Sequence, residues 1–119
     1  MAENESLLLL EERDDISRVR FTDRNILDEA SIQCIEEEIT RVIDRSSNPK
    51  LLLNFENVEH LSSAALGALI TINNRVKKKG GQLRLSNIAS QIYEVFVITK
   101  LNKLFKIYDS EEEACKSFS

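Results

Sequence analysis

His60-Leu61-Ser62-Ser63 places an imidazole and two hydroxyls within four positions, and His60 is the chain's one histidine. A base beside a hydroxyl suggests nucleophilic catalysis, with the imidazole taking the serine proton. That chemistry needs a third group to orient the base, and no second histidine supports one. His60 reads instead as a surface or loop histidine. Serine ahead of a helix has two commoner uses. Its oxygen can cap the helix by accepting an early backbone N–H, which stabilises by about 1 kcal/mol. Alternatively it can carry a phosphoryl group of about -1.5 to -2 charges, which the unpaired amides and positive dipole end of a helix accommodate. The residues by themselves leave both uses open for Ser62 and Ser63.

Other reaction templates are missing. The chain has no Gly-x-x-x-x-Gly-Lys-Ser/Thr loop, no Gly-x-Gly-x-x-Gly and no Gly-x-Ser-x-Gly elbow, and its three glycines argue against a phosphate cradle. Cys34 and Cys115 lie far apart in no metal-like spacing, so neither a metal nor another cofactor is expected. Both cysteines fall in helical patterns and read as small buried thiols suited to a reducing compartment. Glu36-Glu37-Glu38 and Glu111-Glu112-Glu113 read as solvated helix faces rather than paired catalytic carboxylates.

Around the serines, Lys50 to Phe55 is a short, continuously apolar run, the mark of a strand buried on both faces. Ala64 to Lys79 is helical, with Ala65, Leu69, Ile72 and Val76 as the core stripe and Ala68 allowing close approach to a sheet. Lys77-Lys78-Lys79 complements the negative end of that helix, and Gly80 is the expected residue after its cap. The lysine run thus has a structural explanation that needs no nucleic acid.

Upstream, Leu7 to Arg13 and Ile16 to Thr22 flank Asp14-Asp15 and predict a β-hairpin, followed by a polar loop over Thr22 to Asn25. Ser31 to Arg45 predicts a helix capped by Ser31, with Ile32, Ile35, Ile39, Val42 and Ile43 inward and Pro49 beyond its end. Downstream come a strand over Gln82 to Ser86, a helix over Ala89 to Ile98 with Ile92, Val95 and Phe96 inward, and a strand over Leu104 to Tyr108. Ser110 with Glu113 forms a capping box for a final short helix. This order implies an α/β fold: a mixed sheet of about five strands, parallel in its later strands, with four to five helices mainly on one face.

Bulk composition sets the class. The chain has 119 residues, 42% hydrophobic and 30% charged, which fits one globular domain with a real core. A net charge of -4 argues against nucleic-acid binding, which needs a basic footprint. Residues 1–6 are polar and expected to fray, and Leu7 to Leu10 is too short for a signal segment or a membrane span. The expected location is the cytoplasm, with no membrane insertion.

Across residues 7–119 the order of elements resembles a single STAS domain, the family of anti-sigma factor antagonists and of sulfate-transporter cytoplasmic domains. Leu51-Leu52-Leu53-Asn54-Phe55-Glu56-Asn57-Val58 looks like the strand before that family's phosphorylation loop. Ser62-Ser63-Ala64-Ala65-Leu66-Gly67 falls where the family commonly has Asp-Ser-Ser/Ala-Gly-Leu-Gly. Gly80 to Leu85 resembles the start of the next strand, and Ile98 to Ser110 resembles a closing segment that commonly reads Thr-Gly-Leu-x-x-Leu-Phe. Leu27-Asp28 matches a Leu-Asp pair before the first helix. Three positions depart: Ser62 replaces an acidic residue, Ala65 a glycine, and Lys100 a glycine.

What the resemblance implies is a non-enzymatic regulator without cofactor. Ser63, with Ser62 as second choice, would be phosphorylated by a serine kinase that doubles as an anti-sigma factor, and a phosphatase would reverse this. His60, Ser62, Ser63, Ala64, Leu66 and Asp28 would face that partner. Unphosphorylated protein would bind the kinase and free its sigma factor. A constitutive interaction subunit of a scaffold or lipid-transport complex is the rival reading, and a nucleotide hydrolase a more distant one. The oligomeric state is expected to be monomer or weak dimer.

Overall fold

A computed structural model describes residues 8–118. The expectation that residues 1–6 fray lies outside the described residues. Strands β1 (Leu8–Arg13) and β2 (Ile16–Phe21) form the expected antiparallel hairpin. Its two turn residues, Asp14 and Asp15, have φ of 57° and 65°. Positive φ at both central positions is what a tight hairpin turn requires, and aspartate tolerates it.

From β2 the chain runs parallel onward: β2 pairs β4 (Lys50–Asn54), β4 pairs β6 (Gln82–Ser86), and β6 pairs β7 (Lys106–Tyr108). The sheet order is β1-β2-β4-β6-β7. Alternation splits its residues between two faces. Val19, Phe21, Leu51, Leu53, Leu83 and Leu85 join the main core with helices α1 (Glu29–Asp44), α2 (Ser63–Lys78) and α3 (Ser90–Ile98). Ile16 and Leu52 turn the other way, onto Ala114 of α4 (Glu111–Lys116). Leu51, Leu52 and Leu53 are each no more than 1% exposed, which explains the unbroken apolar run of that strand.

Several local expectations change. The loop expected over Thr22 to Asn25 ends in a strand, β3 (Asn25–Ile26), which pairs in parallel with β5 (His60–Leu61) as a separate two-stranded sheet. Two-residue strands carry no periodicity, so nothing in the sequence announces them. Helix α1 is capped by Asp28, not Ser31: Asp28 Oδ2 accepts the Ser31 N–H at 2.9 Å, making Ser31 the third helical residue. Cys34 is exposed and Cys115 half-buried. Cys34 sits off the Ile32-Ile35-Ile39 stripe, so its side chain leaves the core. Val95 is 41% exposed, because α3 buries itself through Ile92 and Phe96 alone. The last strand begins at Lys106, after a 3-10 turn over Leu101–Lys103 entered through Lys100 at φ 64°.

The start of β6 is fixed by a glycine pair. Gly80 N–H donates to the Lys77 carbonyl and Gly81 N–H to the Val76 carbonyl, the doubled hydrogen bonds that end a helix through a left-handed residue. Gly80 has φ +72°, and a Cβ on Gly81 would lie 2.2 Å from the Pro49 carbonyl oxygen.

Candidate functional site

Helices α1 and α2 begin side by side. Each follows one of the paired short strands β3 and β5, and the Ser62 N–H donates to the Ile26 carbonyl at 3.2 Å. The two helices also end together, where Arg75 Nη2 and Nε donate to the Asp44 carboxylate at 2.6 and 3.0 Å. They therefore run parallel, with both positive dipole ends at the tip of the molecule that carries the serines.

The two serines divide the roles that sequence left open. Ser62 is the cap of α2: its backbone is extended and its Oγ accepts the Ala65 N–H at 3.2 Å. Its carbonyl accepts the Leu66 N–H at 3.1 Å. Ser63 is the first helical residue and is exposed, as is Ala64. An α-helix leaves its first amides without intrahelical acceptors, so the Ser63 and Ala64 N–H groups face outward beside the Ser63 hydroxyl.

Charge distinguishes the two helix starts. Helix α1 has Asp28 as cap and Glu29 in its first turn, whereas the first turn of α2 has no acidic residue. The Ser31 N–H holds the Asp28 carboxyl below its usual range. The positive end of α1 is thus already met by carboxylates, while that of α2 is met only by a hydroxyl. A dianion on Ser63 Oγ would complete the second end as Asp28 completes the first.

The remaining expected residues are distributed unevenly. His60 is exposed on β5, and its Nδ1 lies 2.7 Å from Asn25 Oδ1. With that oxygen as acceptor, Nδ1 carries the hydrogen, and the ring is engaged with Asn25 rather than a serine. Asp28 lies at the neighbouring helix start and is exposed. Leu66 is 8% exposed and belongs to the core, so it supports the helix start from beneath. Among the described residues, no three His, Cys, Asp or Glu side chains gather as metal ligands, and no helix is long and apolar enough to cross a membrane.

One structural role escaped the sequence reading. Glu111, expected on a solvated face, reaches back to the sheet: Asn54 Nδ2 donates to its Oε2 at 2.8 Å and Arg18 Nη1 to its Oε1 at 3.4 Å. Arg84, 7% exposed, donates to Ser117 Oγ at 2.8 Å and lies over the Phe118 ring. The α4 face is therefore a polar lock on the sheet.

Comparison with known proteins agrees with this architecture. The family model described as STAS domain matches residues 8–114. The anti-sigma-B factor antagonist of Bacillus subtilis is 26% identical over 86 residues, spanning 72% of this chain and 77% of that protein. An anti-sigma-factor antagonist (STAS) domain protein from Planctomyces limnophilus superposes with a TM-score of 0.82 at 18% identity, covering 90% of this chain and 93% of that one. The Bacillus cell fate determinant SpoIIAA in its phosphorylated form superposes with a TM-score of 0.71 at 19% identity, covering 92% of this chain and 96% of that one. With a family model matched from the first hairpin to the last helix, and with this strand order and its paired helix starts, the chain belongs to the STAS domain family.

Proposed function

We propose that this protein is an anti-sigma factor antagonist whose docking is switched at Ser63. Unphosphorylated, residues 7–119 act as one unit that binds a serine kinase of the anti-sigma type through His60, Ser62, Ser63, Ala64 and Asp28. The observation that carries this reading is an exposed hydroxyl at the first position of α2, at a helix start with no carboxylate of its own. Relatives bearing the name anti-sigma factor antagonist support it, as does a neighbouring fold known in a phosphorylated form.

In the modification step the γ-phosphoryl group of ATP passes to Ser63 Oγ. A P–O bond to the serine forms, the bond to ADP breaks, and the hydroxyl proton goes to the kinase's base. The phosphate then lies against the α2 amides, and its charge and bulk obstruct the partner without refolding this domain. A phosphatase returns the hydroxyl. The protein itself turns over no substrate, and the switch operates in the cytoplasm.

The test uses Ser63→Ala and Ser63→Asp in a pull-down with the cognate kinase, alongside phosphopeptide mapping of the wild type after incubation with kinase and ATP. Ser63→Ala should stay bound in the presence of ATP, Ser63→Asp should bind poorly, and phosphate should map to Ser63. Equal retention of both variants would sink the switch. Ser62, standing where the resemblance to the family pattern leads one to expect an acidic residue, favours a second reading: a constitutive scaffold subunit. On that reading no phosphate maps to Ser63, and both variants hold the partner alike.

A further inference from the structure

The five-stranded sheet ends in two unlike edges. The β7 edge is three residues long, a short edge of the kind that resists adding a further strand. The β1 edge is six residues long, and among the described residues β1 pairs only with β2. Its register is unbroken from Leu8↔Phe21 to Arg13↔Ile16, so no bulge twists it away, and Leu8–Arg13 contains neither lysine nor proline. The tight two-residue turn makes Arg13 and Ile16 a hydrogen-bonded pair, and such pairs alternate along an antiparallel ladder. Leu9, Glu11 and Arg13 therefore bond β2, while Leu10 and Glu12 turn their backbone N–H and C=O groups toward the open edge.

Leu9 is 58% exposed and Leu10 43%, adjacent leucines on opposite faces of this one strand. A single exposed leucine is ordinary, but a pair on an open edge gains by meeting further apolar surface. Leu10 stands in a recess of about 540 Å³ with Glu38, Arg41, Val42, Asp44 and Arg45 of α1. Two acids and two arginines give that wall no net sign, so it does not repel a copy of itself.

Glu11, Glu12 and Arg13 are charges of the kind that blunt an edge, and register keeps them apart. A second β1 laid antiparallel with Leu10 opposite Leu10 sets Glu11 against Leu9. Centring it on Glu11 would oppose two carboxylates, which is destabilising. Glu12 is already paired with Arg45 at 3.4 Å. In the Leu10-centred register Arg20, beside Leu9 on β2, lies in line with Glu11 of the second copy. Two strand spacings, about 10 Å, separate their Cα atoms, a span that these long side chains close over Leu9. Centring on Leu9 would lose that pairing. Arg20 is half-exposed, and its 3.9 Å contact with the exposed Glu56 holds it only weakly.

We propose that the chain forms a two-fold dimer through β1, joining two five-stranded sheets into one continuous sheet. Leu10 exchanges its N–H and C=O with Leu10 of the second copy at the axis, and the two side chains meet beside the α1 helices. Arg20 pairs with Glu11 of the second copy twice over, as an isologous contact requires. The edge carries none of the serine-loop residues, so this dimer and the switch at Ser63 stand or fall separately.

Sedimentation of the full chain over a concentration series should show reversible doubling of mass. Leu10→Lys, which sets two ammonium groups face to face at the axis, should weaken the dimer at least about tenfold with an unchanged urea midpoint. Ile98→Lys, at the most exposed large apolar residue of α3, should stay within about twofold of wild type. Register is read by cross-linking with diamide in a Cys34→Ser, Cys115→Ala background. Leu10→Cys should link two chains, since facing Cα atoms lie about 5.5 Å apart in a hydrogen-bonded pair. Glu12→Cys should not, because its counterpart is displaced by four residues, roughly 14 Å. A chain that stays monomeric up to about 1 mM overturns the dimer and leaves the edge to a foreign strand. Loss of the dimer in Ile98→Lys but not in Leu10→Lys overturns the β1 edge as its seat. Linking at position 12 as readily as at position 10 overturns the register.

Discussion

Ser62 and Ser63 are chemically identical, and one backbone position separates their work. Ser62 spends its oxygen on the Ala65 N–H, so it is structurally committed, while Ser63 remains exposed on the first helical turn. Ser62→Ala should therefore cost about 1 kcal/mol of unfolding free energy in urea titrations, with an unchanged denaturant slope. Having serine at position 62 also means that a phosphate on Ser63 would have no carboxylate on the preceding residue to repel it. Asp28 makes a second residue-level prediction. Its folded carboxyl is held below its ordinary value of 3.8 by the Ser31 N–H, so the unfolded chain takes up the proton more readily. Its contribution is then fully present above that value and fades as pH falls through the lowered folded one. Asp28→Asn, which still caps, should flatten the acid limb of a stability-versus-pH curve.

Among elements, the helix pair and the loops that follow it set where the serines stand. Both α1 and α2 end on short loops that pack together: Asn48 N–H donates to the Lys79 carbonyl and Gln82 N–H to the Pro49 carbonyl. Gly81 allows that contact, since a Cβ there would lie 2.2 Å from the Pro49 oxygen. Gly81→Ala should destabilise by about 1–3 kcal/mol in thermal or urea unfolding, the usual cost of overpacking. The stripes of α1 and α2 were plain in sequence because sixteen residues give several helical turns of repeating isoleucine, valine and leucine. The nine-residue α3 offers fewer turns, and its spacing predicts Val95 inward where the structure exposes it.

At the scale of the whole molecule, α4 ties the end of the chain to its beginning. Glu111 bonds Arg18 and Asn54 across the sheet face opposite the main core, with Arg18 93 positions away. Glu111→Ala should cost about 1–3 kcal/mol by urea unfolding, because it strands partly buried donors on both residues. The sequence by itself determined the hairpin around Asp14-Asp15, the buried run Leu51-Leu52-Leu53, the two long helices and the Ser110 cap. Each is written in local periodicity or in a turn residue that has few conformations available. Only the tertiary structure decided that β3 and β5 pair, that α1 and α2 start together, that Ser62 caps while Ser63 is free, and that Glu111 faces the sheet. Those features rest on two-residue strands and on contacts between distant positions, which leave no pattern along the chain. The physical reason is range: helices and turns are settled by neighbours, whereas the exposure of one hydroxyl is settled by everything packed around it.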